Sequence, residues 1–412
     1  MRLLVVSQYF WPEDFRINDL VSEFVRRGHD VTVLTGRPNY PTGAVFPEFL
    51  KHPERFSAYE GARVIRVPMV ARGHGALRLA FNYLSYAFSA VLFGIWRLRG
   101  DHFDAILVFE PSPVTVGLPA IVLRRLRKWP VAFWVLDQWP ETLSAVGIVK
   151  SRAALWLIGR LVSFIYSRCD LMLVPSKSLV TGIRQYCRPD ESIVYFPNWV
   201  ELAYQRDASE APEVPVCAGK FNVMFAGNIG ESQDFPTILD AAERLVSRSD
   251  IRWLIVGDGR MASWVRAEVT RRDLQKQVVL LGRYAPDRMP SFFKHAGALL
   301  VSLRSDPVFS VTVPGKIQSY LAFGLPVLGM LDGEGARIIE EADAGLTCPA
   351  GQAEALAEIV LRVAAMSDAT REVMGARGRA YAREQFDRDR LVTRLENWLV
   401  KLALSHGPRA GT

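Results

Sequence analysis

Short apolar runs alternate with stretches of helical periodicity along almost the whole chain. The first half opens with apolar runs at 3–6 and 31–34 around a helical stretch at 18–27. In the second half the apolar runs lie at 222–226, 252–256, 278–281, 298–302 and 327–331. Helical patterns separate them at 235–247, 261–272, 287–295 and 315–323. Repeated strand–helix–strand units predict an α/β fold with two doubly wound, parallel sheets.

The chain is long enough for two domains, and residues 197–220 are the predicted linker because prolines lie among charges there. We therefore expect an N-terminal domain at 1–200 and a C-terminal domain at 201–386. Ligands of doubly wound sheets bind at the carboxyl ends of the strands, so the expected site is a cleft between the domains. The four cysteines show neither zinc-site spacing nor disulfide density, which indicates reduced thiols in a cytoplasmic protein. Residues 1–7 predict a first strand rather than a signal peptide.

The basic excess lies entirely in the first half. Residues 1–200 hold 24 Lys and Arg against 16 Asp and Glu, whereas the remainder holds 26 against 27. A basic N-terminal half could face an anionic lipid surface or bind a phosphorylated substrate. Nucleic acid is a less favoured partner because no recognised binding motif accompanies the charge.

Residues 79–96 carry no formal charge and are flanked by arginines. A helix of this length spans about 27 Å, which leaves three alternatives open: a transmembrane helix, a helix against the membrane surface, or a buried helix. Mixed basic and apolar stretches at 124–129 and 155–168 favour the membrane surface.

A glycine-bounded turn follows the strand at 222–226, with the sequence Gly227-Asn228-Ile229-Gly230 before a helical stretch. Glycines and a helix start expose amides to an anion, so we expect a phosphate cradle; an ordinary strand-to-helix turn is the alternative. Pro314-Gly315-Lys316 opens the helix at 315–323 and places a lysine in its first turn. Lys316 could bind a diphosphate or be a solvated surface lysine.

Acidic residues give no metal signature. Asp137 and Glu141 flank a Pro-containing turn, where Asp137 fits either a helix N-cap or a site. Asp387 and Asp389 suit the start of the last helix, and the six histidines are scattered, so we expect no metal site.

Six motifs in order resemble family 4 glycosyltransferases of the two-Rossmann-domain (GT-B) type. They lie at 7–13 (SQYFWPE), 27–35 (RGHDVTVLT), 137–141 (DQWPE), 196–198 (FPN), 226–230 (AGNIG) and 314–327 (PGK through PV). The subgroup it resembles builds bacterial O-antigen and capsule repeats and includes N-acetyl-L-fucosaminyl transferases. The resemblance implies a metal-independent, cofactor-free enzyme that transfers a sugar with retention of configuration, and a final helix at 387–403 that returns to the N-terminal domain.

What the resemblance implies for the site is specific. The C-terminal domain would hold a UDP-sugar, carrying an N-acetylated hexosamine or deoxyhexosamine, and the N-terminal domain a polyprenyl-diphosphate-linked saccharide at the inner face of the cytoplasmic membrane. The expected catalytic residues are Lys316, Asp137 and Glu141. The expected donor-binding residues are Gly227, Asn228, Ile229, Gly230, Gln233, Arg283, Tyr284, Pro314, Gly315 and Ser319. The expected acceptor-binding residues are Glu13, Arg16 and Asn18.

The chain departs from the wider family's pattern at four positions. Val311 and Ser319 stand where two glutamates are usual, and Asn228 and Gln233 stand where an arginine and a lysine usually hold the diphosphate. Amides donate hydrogen bonds but bring no charge, so more of the phosphate binding would fall to Lys316 and the backbone. Two alternatives therefore stay open, a catalytically silent partner and a UDP-sugar 2-epimerase. A nicotinamide-dependent dehydrogenase is disfavoured because no Gly-x-Gly-x-x-Gly follows the first strand.

Overall fold

The structure is a computed structural model that describes residues 1–73, 75–190, 192–201, 210–215 and 219–406. The chain divides into two compact units. The first comprises Met1–Pro175, Leu179–Phe196 and the chain from Val392 onward; the second comprises Ser176–Ser178 and Pro197–Leu391.

The first unit is built on an eight-stranded sheet in the order β3-β4-β2-β1-β5-β6-β7-β8. Its strands are β1 (Arg2–Val6), β2 (Asp30–Thr35), β3 (Ala58–Tyr59), β4 (Ala62–Arg66), β5 (Ala105–Glu110), β6 (Val131–Val135), β7 (Leu171–Val174) and β8 (Ser192–Tyr195). Its helices are α1 (Arg16–Arg26), α2 (Pro47–Lys51), α3 (Ala76–Arg97), α4 (Gly117–Arg127), α5 (Glu141–Ala145), α6 (Arg152–Tyr166) and α7 (Leu179–Arg184). All pairings are parallel except that of β3 with β4.

The second unit is built on a six-stranded parallel sheet in the order β11-β10-β9-β12-β13-β14. Its strands are β9 (Phe221–Ala226), β10 (Ile251–Val256), β11 (Val278–Gly282), β12 (Ala298–Ser302), β13 (Val327–Met330) and β14 (Gly345–Cys348). Its helices are α8 (Phe235–Arg244), α9 (Ala262–Arg271), α10 (Met289–Phe293), α11 (Pro307–Ser310), α12 (Gly315–Phe323), α13 (Glu334–Glu341), α14 (Ala353–Ala364) and α15 (Asp368–Gln385). The last helix, α16 (Arg388–His406), begins in this unit and belongs to the first unit from Val392 onward.

Both faces of the second sheet are covered by helices, which explains why its strands are continuous apolar runs. Along β9, Val223 and Phe225 join one core cluster with α8, α9 and α14. Met224 and Ala226 join another with α10, α12 and α13. The predicted α/β class with two Rossmann-like parallel sheets is confirmed.

Three local predictions differ from the structure. The helix predicted at 235–247 ends at Arg244, and strand β14 was not predicted. The helix predicted at 287–295 is a 3₁₀ turn at Pro286–Arg288 followed by α10, because Pro290 has no N–H group to donate and tolerates only a first-turn position.

Residues 79–96 lie in helix α3. Leu77–Arg97 is long and apolar enough to span a membrane, with a mean hydropathy of 1.4. Yet Tyr83, Tyr86 and Ala90 are buried against the unit, and the Tyr86 hydroxyl donates to the Leu34 carbonyl at 3.2 Å. The opposite row is exposed: Leu77, Phe81, Leu84, Phe88, Leu92 and Trp96. Helix α3 thus has one face packed on its domain and an exposed apolar face.

Candidate active site

Two loops at the carboxyl ends of β9 and β10 stack backbone to backbone. The Ile229 amide donates to the Asp258 carbonyl, and the Met261 amide donates to the Ile229 carbonyl, both at 2.9 Å. A Cβ on Gly257 would lie 1.8 Å from the Gly227 carbonyl oxygen, and both glycines have positive φ. Only glycine permits this approach, so these positions shape the turn that the sequence singled out.

Hydrogen bonds within the loop occupy two of the amides in the predicted phosphate cradle. The Ile229 amide is occupied by Asp258, and the Gly230 amide donates to Gln233 Oε1 at 3.1 Å. Within the described ranges, the Asn228 amide has no such partner. The helix start also lies farther away, because a 3₁₀ turn at Glu231–Gln233 precedes α8. The loop therefore satisfies the Ile229 and Gly230 amides internally, and that of Asn228 is the one at 228–230 with no partner among the described residues.

The amide side chains of Asn228 and Gln233 lie together on this turn. Gln233 Oε1 accepts from Asn228 Nδ2 at 3.4 Å as well as from Gly230. The Ser302 hydroxyl, at the end of β12, donates to the Gln233 carbonyl at 2.7 Å. The turn is thus fixed to β12, and the Gln233 Nε2 amide remains without a protein partner in the part of the chain that the structure describes.

Lys316 is a buried ionisable group beside this turn. Helix α12 begins at Gly315, after Pro314, and the Tyr320 hydroxyl one turn further on accepts from the Ala226 amide at 3.0 Å. That contact anchors α12 on β9 and directs the Lys316 Nζ to 3.7 Å from the Phe225 ring centroid, beside Gly227. The Nζ is buried and, within the described chain, has no hydrogen-bond partner. Burial lowers the pKa of Lys316 to about 7.

A cavity of about 280 Å³ lies next to the turn, at the carboxyl ends of β10 and β11. Its lining includes Ile229, Asp258, Ser263, Arg266, Leu280 and Arg283. Arg283 therefore lines this cavity, and its contact with a nucleobase stays a prediction. Tyr284 differs, because its ring packs on Phe292 with centroids 4.6 Å apart rather than lining this cavity.

Two further predicted donor residues have clear positions. Gly315 is exposed at the start of α12, where a Cβ would meet nothing within 4 Å. Ser319 is buried on the same helix. The structure thus brings Gly227, Asn228 and Lys316 together, while Ser319 lies on the buried face of α12.

Glu334 is an acidic residue of this edge that the sequence reasoning missed. It lies in the first turn of α13, after β13, and accepts hydrogen bonds from the Ser178 hydroxyl at 2.5 Å and the Lys177 amide at 3.1 Å. Although burial opposes ionisation, hydrogen bonds from Arg337 and Ser178 hold the pKa of Glu334 below its usual value. The carboxylate is therefore ionised and ties the Ser176–Ser178 segment to α13.

Asp137 follows β6 in the first unit and has a buried acidic neighbour. Its Oδ2 accepts from Trp139 Nε1 at 3.1 Å, and its amide lies 3.4 Å from Glu110 Oε2. Glu110 ends β5 and is 0% exposed, and its Oε1 has no hydrogen-bond partner within the described residues. Burial raises the pKa of Asp137 and, together with the nearby Asp137 charge, raises that of Glu110 well above its ordinary value. An acid ending the apolar run AILVFE was the available signal for Glu110.

Glu141 and the predicted acceptor residues are held by protein groups. Glu141 opens α5, and its Oε1 accepts from the Tyr186 hydroxyl at 2.7 Å. The Glu13 carboxylate accepts from the amides of Asn39 and Tyr40, both at 2.7 Å, and of Phe10 at 3.1 Å.

Asn18 bridges the Trp11 amide and the Glu13 carbonyl, and Arg16 is the first residue of α1. Glu13 and Asn18 thus hold the loops after β1 and β2. Acceptor binding by these two side chains stays a prediction, and both already make hydrogen bonds to backbone groups. Across the part of the chain that the structure describes, no cluster of three or more His, Cys, Asp or Glu could hold a metal ion.

Two family profiles match the two halves of the chain. Residues 15–199 match the glycosyl transferase 4-like domain, and residues 220–366 match the glycosyl transferases group 1 domain. Together with the two Rossmann-like sheets, these matches show that the chain belongs to the glycosyltransferases with the GT-B fold.

Relatives and solved structures agree with this class. The chain is 26% identical to the probable glycosyltransferase WbjE of Pseudomonas aeruginosa, over 69% of this chain and 72% of that protein. It is 24% identical to the putative colanic acid biosynthesis glycosyl transferase WcaI of Escherichia coli K12, over 79% and 82%. Sucrose-phosphate synthase of Thermosynechococcus elongatus superposes with a TM-score of 0.72 at 15% identity, covering 98% of this chain and 99% of that one. HepE of Anabaena, in complex with UDP and glucose, gives 0.67 at 14%, covering 97% and 99%.

Proposed function

We propose that the protein transfers a sugar, with retention of configuration, from a UDP-sugar to a lipid-linked saccharide during assembly of a bacterial surface polysaccharide. The observation that carries the proposal is the buried, unpartnered Lys316 Nζ beside Gly227. A buried ammonium without a counter-ion is costly, and a diphosphate would supply the missing negative charge.

The relatives support the finer parts of the proposal. WcaI is named for colanic acid biosynthesis, and WaaG, which superposes with a TM-score of 0.64, for lipopolysaccharide biosynthesis. HepE is described in complex with UDP-glucose. The resemblance to fucosaminyl transferases points to an N-acetylated hexosamine or deoxyhexosamine as the donor sugar. The two transferase profiles favour this function over an epimerase or a silent partner.

Three groups on the second unit would hold the donor. Lys316 and the open Asn228 amide face the diphosphate, and the cavity that contains Arg283 receives the nucleobase. The anomeric carbon–oxygen bond to the diphosphate breaks, a bond from the acceptor hydroxyl oxygen forms on the same face, and the hydroxyl proton passes to a diphosphate oxygen. Lys316 stabilises the departing charge, to which one such preorganised donor contributes about 3 kcal/mol. A cation already beside the diphosphate leaves no requirement for a metal.

In the first unit, the loops held by Glu13 and Asn18 shape the acceptor side, with Arg16 on the first turn of α1. Asp137 orients the acceptor hydroxyl, and Glu141 fixes α5 beside it. An Asp137→Asn variant should bind UDP normally and lose most of its transfer rate.

The first test is calorimetric titration of the protein with UDP and GDP. We expect micromolar UDP binding that weakens at least tenfold, or ~1.4 kcal/mol, in Lys316→Ala. Lys276→Ala, an exposed lysine of the same unit, is the matched control. If Lys316→Ala binds UDP as tightly as the wild type, the donor site is misassigned. Transfer of label from UDP-sugars to an organic-extractable product tests the lipid-linked acceptor.

We also propose peripheral association with the inner face of the cytoplasmic membrane through α3. The exposed apolar row on this helix supports it, since such a surface favours an apolar environment. Replacing Phe81, Phe88 and Trp96 by serine should reduce binding to anionic vesicles at least fivefold. Replacing Val246, Trp264 and Val373, which are exposed on the second unit, by serine is the matched control. Equal loss in both variants would contradict a role specific to α3.

A further inference from the structure

A groove of about 370 Å³ lies between α4 and α6 on the first unit, away from the residues assigned to the donor. Its walls are apolar, formed by Ile121, Val122 and Leu126 of α4 and by Phe164 of α6. Its rim carries three arginines, Arg124, Arg125 and Arg168. The volume falls in the range of small-molecule sites and exceeds what a single phosphate needs.

Two of the rim arginines have uncompensated charge. Arg124 is bound by Asp170, with Nε to Oδ2 at 2.7 Å and Nη2 to Oδ1 at 2.5 Å. Arg168 stacks on the Phe164 ring at 3.9 Å and donates to the Phe164 carbonyl at 2.9 Å, but no described acid pairs with it. Arg125 is exposed and likewise has no acidic partner among the described residues. An apolar groove edged by two guanidinium groups that have no acidic partner among the described residues is complementary to an amphiphile with an anionic head.

The surroundings of the groove identify the kind of amphiphile. Helix α4 lies beside both α3 and α6, and none of the three contains an aspartate or glutamate. On α6, Trp156 is 64% exposed and Leu157 is 61% exposed, and α3 carries the exposed apolar row described above. Neighbouring helices that lack acidic residues and expose apolar side chains fit an anionic bilayer, which supplies both hydrocarbon chains and phosphates.

We propose that the α4–α6 groove binds one anionic phospholipid, with an acyl chain against Val122 and Phe164 and the phosphate on Arg125 and Arg168. The groove is then a lipid-binding site within a membrane-facing surface made of α3, α4 and α6. It rests on the proposed membrane association but makes a separate claim, because α3 can partition by its apolar row alone, whereas the groove selects for the anionic head.

The test uses soluble dihexanoyl-phosphatidylglycerol below its micellar concentration, titrated into the full-length protein. Vesicles are avoided because α3 would contribute to partitioning. We expect saturable binding of this lipid and at least tenfold weaker binding of dihexanoyl-phosphatidylcholine and of glycerol phosphate. The double variant Arg125→Glu/Arg168→Glu should weaken phosphatidylglycerol binding at least tenfold. Val122→Phe, which fills the groove and leaves the charges in place, should do the same.

The matched control is Arg244→Glu/Arg383→Glu, which changes net charge equally at two exposed positions of the second unit and should bind the lipid as the wild type does. UDP titration of every variant reports folding and keeps a failure here distinct from a failure of the donor site. Undiminished lipid binding in Arg125→Glu/Arg168→Glu would overturn the proposal. So would glycerol phosphate binding as tightly as the lipid, or farnesyl diphosphate binding in place of phosphatidylglycerol, which would assign the groove to an isoprenoid phosphate.

Discussion

Lys316 and Glu110 are buried ionisable groups, one in each unit, and neither has a partner of opposite charge among the described residues. Burial of this kind destabilises a fold unless the group stays neutral or a ligand compensates it. Burial accordingly shifts the two pKa values in opposite directions, downward for the amine and upward for the acid. Each shift has a consequence for stability that can be measured in the absence of any substrate.

Lys316→Met should stabilise the protein most at and below pH 7. The pKa of Lys316 is lowered from 10.5 to about 7 in the folded state, so the unfolded chain binds more protons between these values. The loss of unfolding free energy caused by the buried charge is therefore largest below pH 7 and falls to zero as the pH rises towards 10.5. We expect a gain of ~1–3 kcal/mol at pH 6.5 that shrinks by pH 9.5, measured by urea unfolding. Lys276→Met is the control, and a gain that does not depend on pH would contradict the mechanism.

Glu110→Gln should stabilise the protein at neutral pH but not in acid. Because the folded-state pKa of Glu110 is raised, its contribution to stability is present below the unfolded pKa and is lost as the pH rises above it. Glutamine imitates the protonated acid and does not titrate. The variant should match the wild type near pH 4.5 and exceed it by about 1 kcal/mol or more at pH 7.5. The control is Glu358→Gln, exposed on α14, whose unfolding free energy should differ from that of the wild type by the same amount at both pH values. If the pH profile of Glu110→Gln ran parallel to that of the wild type, Glu110 would be ionised in the folded protein.

At the scale of elements, the loops after β9 and β10 support each other because their backbones are in contact at Gly227, Gly257 and Gly259. The conformation of the turn after β9 therefore depends on a loop thirty residues away in the sequence. Helix α12 is fixed to the same strand through Tyr320, so the position of Lys316 depends on β9 as well.

Gly257→Ala should damage both stability and nucleotide binding. Its φ is +145°, and the new Cβ would lie 1.8 Å from the Gly227 carbonyl oxygen, so the backbone must shift. We expect a loss of ~2–4 kcal/mol in unfolding free energy and at least tenfold weaker UDP binding, measured by urea unfolding and calorimetry. Gly100→Ala is the control, because a Cβ there meets nothing within 4 Å. Wild-type UDP affinity in Gly257→Ala would separate this loop from the donor site.

At the scale of the whole molecule, the chain's last helix completes its first unit. From Val392 onward α16 belongs to that unit, and Glu396 pairs with Arg27 and His29, each at 2.8 Å. Leu395 and Leu399 of the same helix are fully buried. The first unit is thus assembled from the two ends of the chain.

Leu395→Ala should therefore destabilise the first unit and spare the second. Truncating a buried leucine costs about 2–5 kcal/mol, so hydrogen exchange should accelerate in β1 and α1. UDP affinity should stay within twofold of the wild type, since the residues proposed to hold the donor lie in the second unit. Lys401→Ala, exposed on the same helix, is the control. Faster exchange confined to the second unit would contradict this assignment of α16.

The sequence by itself determined the fold class and most elements of the second unit. The strand at 298–302 and the helix at 315–323 coincide with β12 and α12, because apolar periodicity is a local property of the chain. It also placed Lys316 in the first turn of α12 and Gly227 in the turn after β9. A segment as short as the four-residue strand β14 shows too little apolar periodicity to be predicted.

Only the tertiary structure decided which of these groups are available to a ligand. In the folded chain, the Ile229 and Gly230 amides donate hydrogen bonds to protein groups, and the Glu13 carboxylate accepts from three backbone amides. Glu110 is buried beside Asp137. Among the described residues, the tertiary structure also left the Lys316 Nζ without a hydrogen-bond partner and one apolar face of α3 exposed. The physical reason is that burial and hydrogen bonding are set by segments distant in sequence, whose approach no local pattern encodes.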